Sequence, residues 1–495
     1  MPGNDLKERL QLVSGAMLAC PPPDAGYLPR GYEAAHNIGR WWEGALLLEE
    51  TVGLSIPPLM EQAMAINIRA LTASPYGLLL NDPEIFGGGA LNLHNLREGL
   101  LALTSLIHYR RSRWAVYKGR QLLETMKRLF HDHTLTLEDI CRETGTEISG
   151  DPMITPGLED PYRLEDRTPT DGRALEGILR FYQETGDDLA LELLHATAAF
   201  HLEHTLRPDG SPPPWLADER HVGHNHSYLG TLRGLLLYGI HFQREEYIQR
   251  VYRTYTHSLF RINCTHSGFA PHDLGTLRFP DEKGDPFGDH ASCADVAYLA
   301  FLLAVYGGHP ELLDDAQRLI RGRLFYSQIT QGEGEALGAW GTYGGYFGQG
   351  VIMDVYACIA STLCRIEKDL IRSEPESITL YLLFSAQRQD VDVQVDYGED
   401  ARILLTPKRR AVLRVHLPAW CTGPEVLTAD GQPLSWYREE GFLILARDEL
   451  ELGKSIQIRF PLPVRQTEET TWRSGRRWRI TWKGDEILTA EEEAG

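Results

Sequence analysis

Cationic residues are in short supply: 49 Lys+Arg stand against 69 Asp+Glu, a formal charge of −20 over 495 residues. A surface of that sign repels nucleic-acid backbones and anionic membranes, so neither is expected as a partner. Cysteine is sparse as well. Cys20, Cys141, Cys264, Cys293, Cys358, Cys364 and Cys421 form an odd-numbered set without a Cys-x-x-Cys pair. That excludes a disulfide or zinc-finger scaffold and predicts free thiols in a reducing, cytoplasmic compartment. No apolar run reaches the roughly 18 residues a membrane helix needs, and MPGNDLKERL is too charged for a signal-peptide core. Also missing are a Gly-x-Gly-x-x-Gly turn, a Walker lysine, a Gly-x-Ser-x-Gly elbow and His-Glu-x-x-His, which argues against nucleotide-dependent and serine-hydrolase chemistry.

The chain does have 42% hydrophobic and 24% charged residues, an ordinary globular balance. From 35 to 373, segments such as NLREGLLALTSLIHY and CADVAYLAFLLAVYG repeat apolar positions at i, i+3, i+4 and i+7, so helix is expected to follow helix. Short turns such as Glu184-Thr185-Gly186-Asp187 pair them, with Gly186 suited to a helix C-terminus and Asp187 to the next N-cap. Hairpins cannot bury their apolar faces alone. The expected solution is a closed (α/α)6 toroid, preceded by an N-terminal extension over 1–34. Long connectors at 81–93, 142–170, 207–227, 265–292 and 328–350 are expected to converge on its axial pocket. From 374 to 495 the period drops to two, in segments such as VDVQVDY and SIQIRFPL, which predicts a C-terminal antiparallel β-sandwich.

Val415-His416-Leu417-Pro418-Ala419-Trp420, then Asp430-Gly431, Gly441-Phe442 and Pro461-Leu462-Pro463-Val464-Arg465, resemble the β-sandwich of the bacterial β-L-arabinofuranosidases of glycoside hydrolase family 127. HNLREGLLALTSLIHY and ALEGILRFYQETGD resemble that family's helical hairpins. The resemblance implies a six-hairpin glycosidase fold and a carbohydrate substrate. It also implies zinc held by a Glu-x-Cys element and a later Cys-Cys pair, with one cysteine as nucleophile. Here Cys293 matches the Glu-x-Cys cysteine, but the glutamate position is Ala291, and a single Cys358 stands at the doublet. His290 or Asp289 would have to complete a metal site with Cys293 and Cys358. Two cysteines alone do not hold zinc tightly, so no bound cofactor is expected.

Glycoside cleavage needs an acid and a base or nucleophile, usually paired carboxylates. The resemblance points to the 265–292 loop for the acid, where Asp273 is the best match beside His272, with Asp285, Asp289 and His290 further along. Asp273, Asp289 and Cys358 are therefore the catalytic candidates. His221, His224 and His226 crowd a helix start and suit hydroxyl contacts. GAWGTYGGYFGQGV offers Trp340, Tyr343, Tyr346 and Phe347 to stack on sugar rings. Trp41, Trp42, Glu43, His94, Asn95, Glu98, Asp171, Arg173 and Glu176 mark other helix starts, with His94 the favoured sugar contact. The expected function is a glycoside hydrolase on an oligosaccharide or glycoside, possible as a homodimer. The alternatives are a toroid-plus-sandwich polysaccharide lyase, pairing His224 or His226 with Tyr343 or Tyr346, and a catalytically lapsed sugar-binding protein.

Overall fold

Two kinds of helix alternate along the chain, and their sequences decide which kind each is. CADVAYLAFLLAVY is apolar on nearly all sides, whereas REEYIQRVYRTY has one apolar stripe. The first kind has neighbours all round it and the second faces solvent on one side. In the computed structural model, which describes residues 5–21, 23, 26–27, 34–80, 91–148, 167–219, 221–449 and 451–493, this alternation builds two nested layers. The main helices are α1 (Leu6–Ala19), α2 (Ala34–Val52), α3 (Pro58–Leu71), α4 (Leu96–Arg110), α5 (Arg113–Phe130) and α6 (Arg173–Thr185). They continue with α7 (Asp188–His204), α8 (Asn225–His241), α9 (Glu245–Thr254), α10 (His290–Tyr306), α11 (Leu313–Arg318) and α12 (Met353–Lys368).

The even-numbered helices pack in cyclic order: α2 on α4, then α6, α8, α10 and α12, and α12 returns to α2. Each odd-numbered helix packs outside its even-numbered neighbours. The helix α1 falls in the segment set apart above as an extension, yet it lies against α2 and α12. Leu6, Leu10, Val13 and Met17 fall on one helical stripe and are fully buried. The hairpin turn forms as its residues dictate: Gly186 has φ 65°, and Asp187 accepts from the backbone of Leu189 at 2.9 Å and Ala190 at 3.1 Å. Close approach matters most at Gly39, where a Cβ would come within 2.7 Å of Glu98 Cβ. Its absence lets α2 and α4 meet where the site below is built. The connectors at 81–93 and 142–170 lie largely outside the described residues, as does part of 1–34. Among the described residues no helix is long and apolar enough to cross a membrane.

After α12 the chain turns to strands, beginning at Ile371–Ser373. One five-stranded sheet runs Tyr437–Glu439, Phe442–Leu445, Val412–His416, Ser377–Leu380, Ile371–Ser373. A second runs Ala386–Gln387, Val391–Tyr397, Asp400–Pro407, Ile456–Pro461, Glu425–Thr428. Their buried Leu413, Leu443, Ile403 and Ile458 share one apolar core. The expectation of wholly antiparallel pairing needs one correction, since Ser377–Leu380 runs parallel to Val412–His416. The span between those two strands is long enough for a crossover, which parallel pairing requires. A three-stranded sheet, Val464–Thr470, Arg477–Lys483 and Glu486–Glu492, docks on the helical part instead. There Arg476 Nε donates to Asp285 at 2.9 Å, and Ser267 N donates to Glu469 at 2.6 Å.

Candidate active site

The N-terminal ends of five inner helices open onto one cavity of about 430 Å³. His36 and Arg40 come from the start of α2, His94 from just before α4, His224 and His226 from the start of α8. Asp289 and Ala291 come from α10, and Asp354 and Val355 from α12. The 265–292 loop adds His272, Arg278, Phe279 and Phe287, and the 328–350 loop adds Thr342. A two-residue ladder, Gly288–Asp289 against Thr342–Tyr343, ties those loops together at the rim. The histidines form an arc, with ring centroids 5.5 Å apart for His36 and His94, 5.5 Å for His94 and His224, and 4.8 Å for His224 and His272.

Arginines behind this arc fix its tautomers, because a guanidinium only donates. Arg40 lies 2.8 Å and Arg97 3.1 Å from His226 Nε2, so Nε2 accepts and Nδ1 donates to Asp295 at 2.5 Å. Arg173 likewise donates to His94 Nε2, leaving Nδ1 to donate to the Pro169 carbonyl at 3.1 Å, presented by the widened turn Thr168–Gly172. Glu98 Oε1 serves Arg173 at 2.7 Å and Arg40 at 3.0 Å together. Burial drives its carboxyl up, but Arg173 and Arg40 outweigh that and hold it well below the usual carboxylate range. The same burial and cationic neighbours keep His94, His224 and His226 well below the usual imidazole range. His36 is pushed down to about 3, burial outweighing the opposing Glu98 charge. His36, His94 and His224 are therefore uncharged at neutral pH and suited to hydroxyl groups as donor and acceptor.

Of the expected catalytic residues, only Asp289 lines the cavity. It caps α10, taking hydrogen bonds from Ala291 N at 2.9 Å and Ser292 Oγ at 2.7 Å, and burial pushes its carboxyl up against those bonds. Asp273 stands behind His272, whose Nδ1 donates to it at 2.7 Å. Burial raises the Asp273 carboxyl, but His272 and Arg278 outweigh it and hold it below its ordinary value. That arrangement fits an ionised residue orienting His272, in place of the acid expected from the sequence. Cys358 lies one turn deeper on α12 than Asp354, 3.8 Å from both Arg97 Nη2 and His226 Nε2.

The expected aromatic platform is not at the cavity. Trp340 is fully buried, its Nε1 donating to the Leu324 carbonyl at 2.7 Å. Tyr343 stacks on His290 at 4.2 Å, and Tyr346 stacks on Phe269 at 4.4 Å while its hydroxyl donates to Glu469 at 2.6 Å. The tyrosine–histidine pairing of the lyase alternative is thus not assembled. Trp41 turns outward, donating to the Met17 carbonyl at 3.0 Å, and Asp171 faces His201 at 3.6 Å. Sequence reasoning missed His36, Arg40, Arg97, Arg278, Asp295 and Asp354. Two signals were available in the i, i+4 pairs His36/Arg40 and Asp354/Cys358, which place both members on one helical face.

Cys293 and His290 do not join Cys358. Cys293 packs near Gly268 and Cys264, and the metal-type cluster around Cys358 is completed by His226 and Asp295, with candidate ligand atoms within 4.8 Å of one another. These residues do not fit zinc. The His226 Nε2 lone pair, the one that faces Cys358, already accepts from two guanidiniums, and Arg97 also reaches the sulfur. A dication there would sit against two fixed positive charges.

No family model and no curated relative matches the sequence. Solved structures do. A glycoside hydrolase family 127 β-L-arabinofuranosidase from Geobacillus stearothermophilus T6 is similar with TM-score 0.62 at 12% identity, covering 96% of this chain and 80% of its own. A second family 127 β-arabinofuranosidase gives TM-score 0.61 at 11% identity, covering 97% and 78%. A further glycoside hydrolase gives 0.59 at 13%, covering 91% and 77%. The resemblance carried by the Pro-x-Trp and Pro-x-Pro-Val-Arg elements thus extends to the fold of nearly the whole chain.

Proposed function

We propose that the protein is a glycoside hydrolase working in the histidine-lined cavity, with Asp354 as the acid and Asp289 as the second carboxylate. The observation that carries this reading is the contact of Asp354 Oδ2 with His36 Nε2 at 3.7 Å. His36 Nδ1 donates to Asn95 Oδ1 at 2.9 Å, so a neutral His36 turns its Nε2 lone pair toward Asp354. Burial, reinforced by Glu98 and opposed by Arg40, pushes the Asp354 carboxyl up. A carboxylate would confront the lone pair, whereas a carboxylic acid donates toward it. Asp354 is accordingly the proton carrier of the cavity.

In the reaction, Asp354 gives its proton to the glycosidic oxygen as the bond to the anomeric carbon breaks. A water adds its oxygen to that carbon and gives a proton to Asp289, after which Asp289 releases that proton to solvent and solvent returns one to Asp354. The arc of His94, His224 and His272 holds ring hydroxyls. The cyclic packing of α2, α4, α6, α8, α10 and α12 supports a closed (α/α)6 toroid, and the shared core of the two five-stranded sheets supports a β-sandwich. Glycoside hydrolases of that fold support the reaction class and place β-L-arabinofuranosides among the substrates to try.

The test is turnover of a panel of 4-nitrophenyl glycosides, β-L-arabinofuranoside and hexuronides included. Replacing Asp354 with Asn is expected to lower kcat by about 10²–10⁴-fold, the usual contribution of a positioned acid. Undiminished turnover in Asp354→Asn sinks the assignment.

A further inference from the structure

Five arginines reach the polar layer beneath the cavity: Arg40, Arg97, Arg173, Arg233 and Arg365. The carboxylates that meet them are Glu43, Glu98, Glu176 and Asp295. Arg180 adds a sixth arginine at Glu176, so the arginines outnumber these carboxylates, and Arg40 is the one that lines the cavity. Arg40 is 1% exposed and lines the cavity. Its Nη2 is engaged by Glu98 at 3.0 Å and His226 at 2.8 Å, while Nε and Nη1 are buried with no hydrogen-bond partner among the described residues. Leaving buried donors unmet costs roughly 1–3 kcal/mol, and a planar guanidinium is matched best by a carboxylate. At the same cavity Arg278, 3.6 Å from the Asp273 carboxylate, stands over Phe279 and within 3.4 Å of the His272 ring, a second cation on the side of the 265–292 loop whose charge Asp273 shares.

We propose that the cavity selects a sugar bearing a carboxylate, a uronic acid residue, with Arg40 receiving the carboxylate and Arg278 supplying the second positive charge. This rests on the hydrolase reading above and names its substrate class. A neutral sugar leaves the Arg40 donors to be met by hydroxyls and the charge uncompensated, whereas a single carboxylate answers both. The −20 charge of the whole chain repels a polyanion, so the ligand is a short glycoside with one uronate and not a long acidic polymer.

The experiment is calorimetric titration of the full chain with D-glucuronate, D-galacturonate and L-iduronate, each against its methyl ester, which keeps the shape and removes the charge. At least one acid is expected to bind about tenfold or more tightly than its ester, the scale of a charge-assisted pair. Arg40→Gln is expected to erase the difference. Arg278→Gln, a polar replacement at a partly exposed position, is expected to reduce it and serves if the Arg40 variant does not fold. Acids that bind no better than their esters overturn the proposal. Hydrolysis of neutral glycosides alone leaves the hydrolase reading standing and removes this one. Selective uronate binding without turnover does the reverse.

Discussion

Two regions carry the functional side chains that stand out in the sequence, and they put them to opposite uses. At the mouth of the helical part, His36, His94, His224 and His272 line open space, and burial, helped by nearby cations, keeps His36, His94 and His224 neutral. At the seam with the three-stranded sheet, Tyr343, Tyr346, Phe347 and Trp478 close around Arg323 and leave no comparable space. The Arg323 guanidinium lies 4.2 Å from the Phe347 ring centroid and donates to the Tyr343 hydroxyl. Both regions bury an arginine. The seam answers it with aromatic faces and a phenol, and the mouth leaves part of Arg40 facing a cavity. Both guanidiniums keep an Nε and an Nη1 without a hydrogen-bond partner among the described residues, so what separates a site from a joint here is the unfilled volume, not the residue types.

The comparison breaks most visibly at Glu98, the one carboxylate shared by Arg40 and Arg173. Removing one partner of a buried ion pair costs about 3–5 kcal/mol, so Glu98→Ala is expected to lower the unfolding free energy measured in urea by that amount and to abolish turnover with it. The pH sign follows from its depressed carboxyl: the stabilisation is present above the unfolded glutamate value and lost as pH falls through the folded one. A Glu98→Ala variant with wild-type stability at pH 7 contradicts the picture of a charge-loaded mouth. At the seam, Tyr346→Phe removes one hydroxyl bond to Glu469, which keeps its two bonds from Ser267. The expected cost is about 1 kcal/mol in stability with kcat and KM unchanged. A rise in KM would return Tyr346 to the sugar-binding residues and erase the distinction between the regions.

This distinction marks where the sequence stops being informative. Helix periodicity, the Gly186/Asp187 turn and the drop to period two after residue 373 are local, and local chemistry decides them. The histidines at 224 and 226 are legible because a helix start aims its first residues inward. The segment GAWGTYGGYFGQG reads equally well as a stacking platform or a packed joint, since only the distant strands bearing Glu469 and Trp478 settle which. Asp273 is not legible for a similar reason: its setting depends on His272 and on the Arg278 backbone amide, which donates to it at 3.0 Å. Arg40 and Asp354 were passed over because nothing in their own segments marks them. Their partners, Glu98 and His36, come from other helices.

A smaller effect tests Asp354 independently of turnover. Its folded-state carboxyl is raised by burial, so the protonated form is favoured on folding. That contribution is complete below the unfolded aspartate value of about 3.9 and is lost as pH rises through the folded value. Asp354→Asn is therefore expected to unfold at a higher temperature than wild type at pH 7, with the gap closing toward pH 4, even as activity disappears. Equal melting temperatures across that range would mean that the carboxyl is ionised in the folded protein and is not the acid.

The smallest expected effect is none at all, on adding or removing zinc. The donors around Cys358 look suitable by type, a thiol, an imidazole and a carboxylate, yet the imidazole nitrogen facing the sulfur accepts from Arg40 and Arg97. Zinc would have to displace two guanidiniums that Glu98 and Cys358 hold in place, in a region already carrying an uncompensated positive charge. Purified protein is expected to retain no stoichiometric zinc after dialysis, and neither melting temperature nor glycoside turnover should respond to a chelator. One equivalent of zinc that survives dialysis and is lost in Cys358→Ser would show that the arginines swing aside. In that event the mouth is a metal centre, and Arg40 is free of the role given to it here.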